Sequence, residues 1–289
     1  MSDLVMTSPA PIVLDLRKHI RKTRNGKIKT GAMCKGNIAI RITVTVLISL
    51  TIYGFLSFNY KDVNIANAIA GTFSNAATMF GSPALSNITF SHAMWGLLIV
   101  FSLGVLSTIS GAIIAFFGAL LCANNIANPK VGIVVKSIVA FIRAVPTILW
   151  VLIFTVAAGL GSVAAVAGLT FHSAGYLIKA YAESIEEIDS GVIEALRASG
   201  ASYWQIVFQA IIPASISYMT AWTFLRFEIN FTNAVMVGAW AGAGGIGFDL
   251  FMAGNFYHNL RELGFITYVI VAAVIVLELL ATKFKAKVR

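Results

Sequence analysis

Residues 94–122 read MWGLLIVFSLGVLSTISGAIIAFFGALLC. A bilayer core roughly 30 Å thick is crossed by about 20 consecutive apolar residues in a helix, so this run is long enough to span one. With no water to satisfy the backbone, a spanning segment of this kind must be helical. Inside the run Ser107, Gly111, Ala115 and Ala119 recur at four-residue spacing. Such a ridge of small residues lets a second helix approach closely, which puts the span within a bundle.

The rest of the chain agrees. Of 289 residues 58% are hydrophobic and 11% charged, with a mean hydropathy of +0.84, whereas a soluble domain carries about 25% charged residues. A soluble single-core protein, a disordered chain and a collagen-like repeat are excluded. Further apolar runs at about 38–58, 137–157, 162–180, 206–225 and 265–280 predict an all-α membrane protein with about six transmembrane helices. The run from Ile38 follows a basic tail and lacks an A-x-A site, so it reads as an uncleaved first span. Beyond it Ile65, Ile69, Phe73 and Phe80 form a stripe with Asn64, Asn67, Asn75 and Thr78 off it, predicting a short interfacial helix ended by Ser82 and Pro83. Asn124 to Lys130 forms a short loop, and Gly159 and Gly161 a tight turn. Residues 235–246 are apolar but too short to span, which suits a re-entrant or half-span segment.

Charge orients this topology. The net charge is +9. Arg17, Lys18, Arg21, Lys22, Arg24, Lys27, Lys29, Lys35 and Arg41 crowd the first part of the chain, and Lys283, Lys285, Lys287 and Arg289 its last part. Of the 21 Lys and Arg, all but Lys61, Arg143, Arg226 and Arg261 fall on one side of the expected topology. By the positive-inside rule that side is cytoplasmic, and both termini with it. Juxtamembrane attraction to anionic lipids explains these cations, so no nucleic acid partner is expected. The organisation is thus a basic tail at 1–37 and a transmembrane region at 38–289. Cys34 and Cys122 fall near the reducing side, so no disulfide is expected. His92, His172 and His258 are dispersed without carboxylate or cysteine companions at ligand spacing. No metal, catalytic or cofactor-binding residues are expected.

The stretch 181–205 is the most polar interior part, holding Glu183, Glu186, Glu187, Asp189 and Glu194. It reads as a cytoplasmic loop of two short helices, one ending near Asp189 and one over 192–199, with Gly191 and Gly200 as turn points because glycine enters left-handed geometry freely. Arg143, Arg226 and Glu228 lie in or beside spans. A charge at a span centre costs about 2.5–3.5 kcal/mol on insertion scales, so such groups face the bundle or water. Arg226 and Glu228, two apart, lie on opposite faces and are not expected to pair. Two readings stay open: a structural or snorkelling role, and a transient positive potential for a passing oxyanion, which arginine's fork suits. Pro146 and Pro213 are expected to kink or open their helices. Gly242-x-Gly244-x-x-Gly247 matches the dinucleotide fingerprint by letter but lacks its strand-and-helix context. It reads instead as close backbone approach at a broken helix near the outer half of the pathway, or as simple helix packing.

Glu194-Ala195-Leu196, then Gly200, then Pro213, resembles the EAA motif of ABC importer permeases, with Leu196 replacing the second alanine and Ala210 and Ile212 standing where Ile and Leu are usual. Arg143-Ala144-Val145-Pro146, the segment 182–189, Glu194 to Ala201, Arg226-Phe227-Glu228-Ile229-Asn230 and Gly242-Ala243-Gly244-Gly245-Ile246-Gly247 together look like the permease of phosphonate-type ABC importers, over about residues 90–282. The resemblance implies a type I ABC importer permease-like bundle in a bacterial inner membrane. It implies pairing with a second copy of the permease, cytoplasmic ATP-binding subunits that hold ATP and magnesium, and an extracytoplasmic substrate-binding protein. Glu194, Ala195, Leu196 and Gly200 would couple to the ATP-binding subunit, and Arg143, Pro146, Arg226, Glu228, Asn230, Gly244 and Gly245 are the candidate translocation pathway. The cargo would be phosphonate or a related phosphorus oxyanion. No G-x-x-x-x-G-K-S/T loop occurs in the chain, so ATP hydrolysis is expected in the partner and this chain is expected not to be an enzyme. An importer permease for another small solute and an ATP-independent channel or secondary transporter are the alternatives.

Overall fold

The computed structural model describes residues 35–58 and 64–288. The cations from Arg17 to Lys29, Cys34, Lys61 and Arg289 lie outside the described residues. The chain divides into two compact units, Met1–Ile65 and Ala66–Arg289. The first contains helix α1 (Lys35–Ser57), which exposes Leu47, Leu50, Phe55 and Leu56. A helix apolar all round suits contact with lipid.

Helix α2 (Ile65–Gly81), whose first residue closes the first unit and whose remainder opens the second, ends before Pro83 as its sequence predicts. Then come α3 (Phe90–Cys122), α4 (Pro129–Ala144), α5 (Thr147–Ala158), α6 (Ser162–Glu186), α7 (Ser190–Ala198) and α8 (Tyr203–Ile206). A π-turn at Val207–Ile211 leads into α9 (Ile212–Trp240), followed by α10 (Ile246–Asn255) and α11 (Leu260–Val288). Among the described residues five helical segments are long and apolar enough to cross a membrane, or six with the bent α4–α5 pair as one span.

The bundle is organised by α3. Its small-residue ridge is buried, with Ser107, Ala115 and Ala119 at 0% exposure. A Cβ on Gly111 would lie 2.9 Å from the Cβ of Ser173 on α6. Small side chains here bring the α3 and α6 backbones together, and dispersion between close-packed atoms then replaces the hydrophobic drive that lipid does not supply. Two clusters fill the unit. One gathers Leu120, Leu177, Ile185, Ile193, Val207 and Ile211, joining α3 and α6 to α7 and the π-turn. The other gathers Val100, Val151, Leu169, Phe231, Val237 and Ile246 at the opposite end of α3.

Four expectations are corrected. The span expected at 137–157 starts earlier, at Pro129, and bends at Pro146 as that proline predicts, the axes of α4 and α5 meeting at 93°. Val145 is extended (φ −86°, ψ 126°), because the following proline ring disfavours helical geometry in the residue before it. The indole N–H of Trp150 donates to the carbonyl of Ile142 at 3.0 Å and so satisfies a group that the break leaves free. The span at 162–180 continues to Glu186, so the acidic first helix of the loop is the last two turns of α6, with Tyr181 and Ile185 buried. The span at 206–225 and much of the half-span at 235–246 form one helix through Trp240. The short element is α10, further along. Pro213 is not a simple kink: without an N–H it cannot donate back to the Gln209 carbonyl, and a π-turn precedes it.

At the α2 side of the bundle Glu262 is 1% exposed. One carboxylate oxygen accepts the backbone N–H groups of Ser86, Asn87 and Ile88 at 3.2, 2.7 and 3.0 Å, and the other accepts Asn87 Nδ2 at 2.6 Å. A buried carboxylate with this many donors is fully satisfied, and its removal orphans three N–H groups. Glu262→Ala is therefore expected to destabilise the protein by about 3 kcal/mol or more, read as a lowered unfolding midpoint in detergent, with Glu262→Gln losing less.

Candidate functional site

The segment that carries the EAA resemblance folds as α7 with both ends built by local rules. Asp189 caps its start, its side chain accepting the Gly191 N–H at 2.8 Å. At the other end Gly200 N–H donates to the Arg197 carbonyl and Ala201 N–H to the Leu196 carbonyl, each at 3.0 Å. That pair of bonds is the Schellman arrangement, which needs a left-handed residue at its turn. Gly200 supplies it with φ +84°. Immediately after, the Ser202 hydroxyl and the Gln205 side chain cap α8 reciprocally. On α7, Ile193 is buried and Leu196 half-buried against the core, while Glu194, Ala195 and Arg197 face outward. Arg197 also donates to the Asn125 carbonyl at 3.2 Å, tying α7 to the α3–α4 connection. The outcome is a short helix fixed on one face and free on the other.

A second group of side chains lies within the bundle. Arg226 on α9 is 2% exposed. Its Nε donates to Ser173 Oγ at 3.0 Å, and one terminal nitrogen lies 2.8 Å from His172 Nδ1. Thr147 Oγ1, just past the α4–α5 break, is 3.0 Å from the same ring nitrogen. Asn230, one turn along α9 and fully buried, donates to Thr108 Oγ1 and Ser173 Oγ, each at 2.8 Å. Arg226 also covers the Tyr176 ring at 5.3 Å, and Arg143 at the end of α4 covers the same ring at 5.9 Å. Among the described residues no carboxylate lies within ion-pair distance of either guanidinium. Two cations thus share one aromatic ring, an arrangement worth roughly 0.5–2 kcal/mol per contact, with hydroxyl and imidazole groups as the other neighbours.

The third group is the glycine turn between α9 and α10. Gly242, Gly244 and Gly245 have φ of +63°, +74° and +79°. A Cβ on Gly238 would lie 2.6 Å from the Gly244 carbonyl, and one on Gly247 would overlap the carbonyl of Val235. Close backbone approach is therefore the physical use of these glycines. The turn lines a cavity of about 360 Å³ with His92, Trp95, Asp249 and Tyr257. His92 Nε2 lies 3.2 Å from Asp249 Oδ1.

Among the candidate pathway residues, Arg143, Arg226 and Asn230 are brought close together, and Pro146 sets the bend beside them. Glu228 sits half-buried on another face of α9, and Gly244 and Gly245 belong to the separate cavity at the far end of α3. His172, set aside in the sequence as dispersed, joins the cluster with Ser173 and Tyr176, which the sequence did not single out, and His92 gains a carboxylate neighbour from 157 residues away. Among the described residues no group of three His, Cys, Asp or Glu is placed to hold a metal ion.

Comparison with known proteins fits this geometry. Residues 111–286 match the family "Binding-protein-dependent transport system inner membrane component". The chain is 32% identical over 196 residues to the phosphite transport system permease protein PtxC of Stutzerimonas stutzeri, covering 68% of this chain and 66% of PtxC. It is 31% identical over 165 residues to the phosphate-import permease protein PhnE of Mycolicibacterium smegmatis, covering 57% of this chain and 30% of that protein. The match thus spans less than two thirds of either relative's length. In fold it is similar to a chain of the MetNI methionine ABC transporter in an inward-facing conformation, with a TM-score of 0.64 at 21% identity over 71% of this chain and 100% of that chain. A bacterial ABC transporter involved in alginate import gives a TM-score of 0.57 at 14% identity, over 87% of this chain and 98% of that one. The chain belongs to the binding-protein-dependent transport system inner membrane component family and shares the helical-bundle fold of those ABC transporter chains.

Proposed function

We propose that this chain moves a phosphorus oxyanion, such as phosphonate, phosphite or phosphate, inward across the membrane as one of two permease copies. In this reading residues 38–289 are the transmembrane region behind a basic tail at 1–37, both termini are cytoplasmic, and an extracytoplasmic binding protein delivers the anion. Cytoplasmic subunits holding ATP and magnesium grip α7 through Glu194, Ala195, Leu196 and Gly200. ATP-driven closure of those subunits supplies the differential free energy that shifts the pathway between states, and a helix anchored on one face transmits it as rigid-body motion. The observation that carries the substrate class is the buried Arg226, whose described neighbours are hydroxyl and imidazole groups, next to Arg143 on a shared ring. The similarity to the phosphite and phosphate permeases supports it.

A second reading, import of methionine, is favoured by the likeness to methionine permeases, one of them 29% identical over 126 residues. The two separate in one experiment. Cells lacking this chain are complemented with wild type or Arg226→Gln, and uptake of labelled methylphosphonate, phosphite, phosphate and methionine is followed. The oxyanion reading expects phosphorus-anion uptake with wild type and a loss of about tenfold or more with Arg226→Gln at equal membrane abundance, since a charge-assisted bond in a dry site is worth about 1.5–3 kcal/mol. Methionine uptake with no phosphorus-anion uptake establishes the second reading in its place.

A further inference from the structure

At the end of the bundle that carries α7, a cavity of about 330 Å³ opens between α4 and α6. Lys136 and Arg143 from α4 and Lys179 from α6 line it, opposite Glu183 and Glu186. The two carboxylates differ in how firmly they are engaged. Glu186 accepts from Lys136 at 3.3 Å and from the Asn124 backbone N–H at 2.8 Å, while Lys136 also donates to Asn124 Oδ1 at 2.7 Å. Glu183 meets Lys179 at 3.4 Å in an i,i+4 pair whose side chains are 51% and 58% exposed. Exposed pairs of that kind hold weakly, so Lys179 is free to exchange its partner. Arg143 brings a third cation against two carboxylates, and its guanidinium lies over Tyr176 beside Arg226. The cavity therefore continues a line of positive groups that starts at the buried arginine. On the outward side of α4, Ile133, Val134, Ile138 and Phe141 are exposed and apolar.

We propose that this cavity binds a tetrahedral phosphorus oxyanion, with Arg143 supplying a two-pronged contact and Lys136 and Lys179 the flanking point charges. A planar guanidinium matches two oxygens of a phosphoryl group, and ammonium groups add charge without fixed geometry. A volume near the lower bound of small-ligand sites suits an anion of that size. Two sources present the same chemistry: the transported anion after it leaves Arg226, and the headgroup of an anionic lipid whose chains lie along the apolar side of α4. The first source rests on the oxyanion reading above; the second stands without it.

Lysine footprinting tests this on the unmodified chain with its ATP-binding subunit. In maltoside micelles, which hold no phosphate, the acetylation rates of Lys136 and Lys179 are compared with and without methylphosphonate at matched ionic strength, with exposed Lys130 and Lys283 as references. Protection of both cavity lysines, with a half-maximal concentration raised about tenfold by Arg143→Gln, is expected from the loss of one bidentate contact, and it assigns the site to cargo. Protection that arises only in phosphatidylglycerol nanodiscs and not in phosphatidylcholine ones assigns it to a headgroup. Lysines equally reactive in every arm overturn the proposal. Uptake without protection refutes the site alone, and protection without uptake refutes the transport reading alone, so the two failures are distinguishable.

Discussion

Gly247→Val is expected to abolish the folded permease in the membrane, leaving material that does not survive extraction in mild detergent. The reason lies in backbone geometry. Gly247 opens α10 where it crosses the last turns of α9, and a Cβ there would overlap the carbonyl oxygen of Val235. The neighbour is helical main chain, so no rotamer change relieves the clash. On the other strand of the same crossing, Gly238 meets the Gly244 carbonyl. The α9–α10 pair is thus locked by glycines from both sides. Ordinary overpacking costs about 1–3 kcal/mol, and overlap with a fixed carbonyl exceeds that range. Gly254→Val offers the control. It lies on the same short helix, but its nearest neighbour is the flexible end of Leu263, 3.4 Å from the added atom. Comparable losses for both variants in size-exclusion profiles remove the steric argument.

Gly200→Val is expected to leave the bundle folded and to reduce ATP-driven uptake by an order of magnitude or more. Among the described residues, apart from its chain neighbours, no atom lies within 4 Å of a Cβ at this position, so space is not the issue. The backbone is: at φ +84° a β-branched residue is strained, at a cost of about 1–3 kcal/mol. The turn escapes that strain by abandoning the two bonds that close α7. The face bearing Glu194 and Ala195 then loses its fixed direction, while Ile193 and the core beneath keep theirs. Gly200→Asn tests the cause, because asparagine tolerates left-handed geometry far better than valine. It is expected to retain most of the uptake that valine loses. Equal loss with both variants, at normal abundance, points away from backbone geometry.

The parts of this molecule that follow from local rules were readable in its residues. The apolar run at 94–122 announced α3, its small-residue ridge announced a close helix neighbour, and Gly200 announced the end of α7, whereas Asp189, read as the end of the preceding helix, caps the start of α7. Long-range polar contacts were not readable. Arg226, Glu228 and Asn230 looked like the end of a span because a window along the chain counts their polarity as unpaid desolvation, whereas Thr108 and Ser173 from two other helices satisfy Asn230 and Ser173 reaches Arg226. The acids after Tyr181 looked like a loop for the same reason, although Glu186 is tied to Asn124 and Lys136 and the helix runs on beneath it. Pro146 announced an interruption, but not its 93° size, nor that Trp150 would reach the Ile142 carbonyl across the break and Thr147 the His172 ring on α6. His172 and Tyr176 carried one available signal: polar side chains in a span, four apart on one helix face, normally look inward toward a partner.

The most direct test concerns the side of the membrane on which α7 stands. In a chain with Cys34→Ser and Cys122→Ser, a cysteine placed at the exposed Val192 is treated in intact cells with a membrane-impermeant thiol reagent, and again in inside-out vesicles. Modification in the vesicles alone, suppressed when the ATP-binding subunit is bound, is the outcome expected of a helix that receives the force of ATP hydrolysis. Modification in the intact cells would put α7 on the opposite surface from any source of ATP and contradict the coupling role on which the transport reading is built.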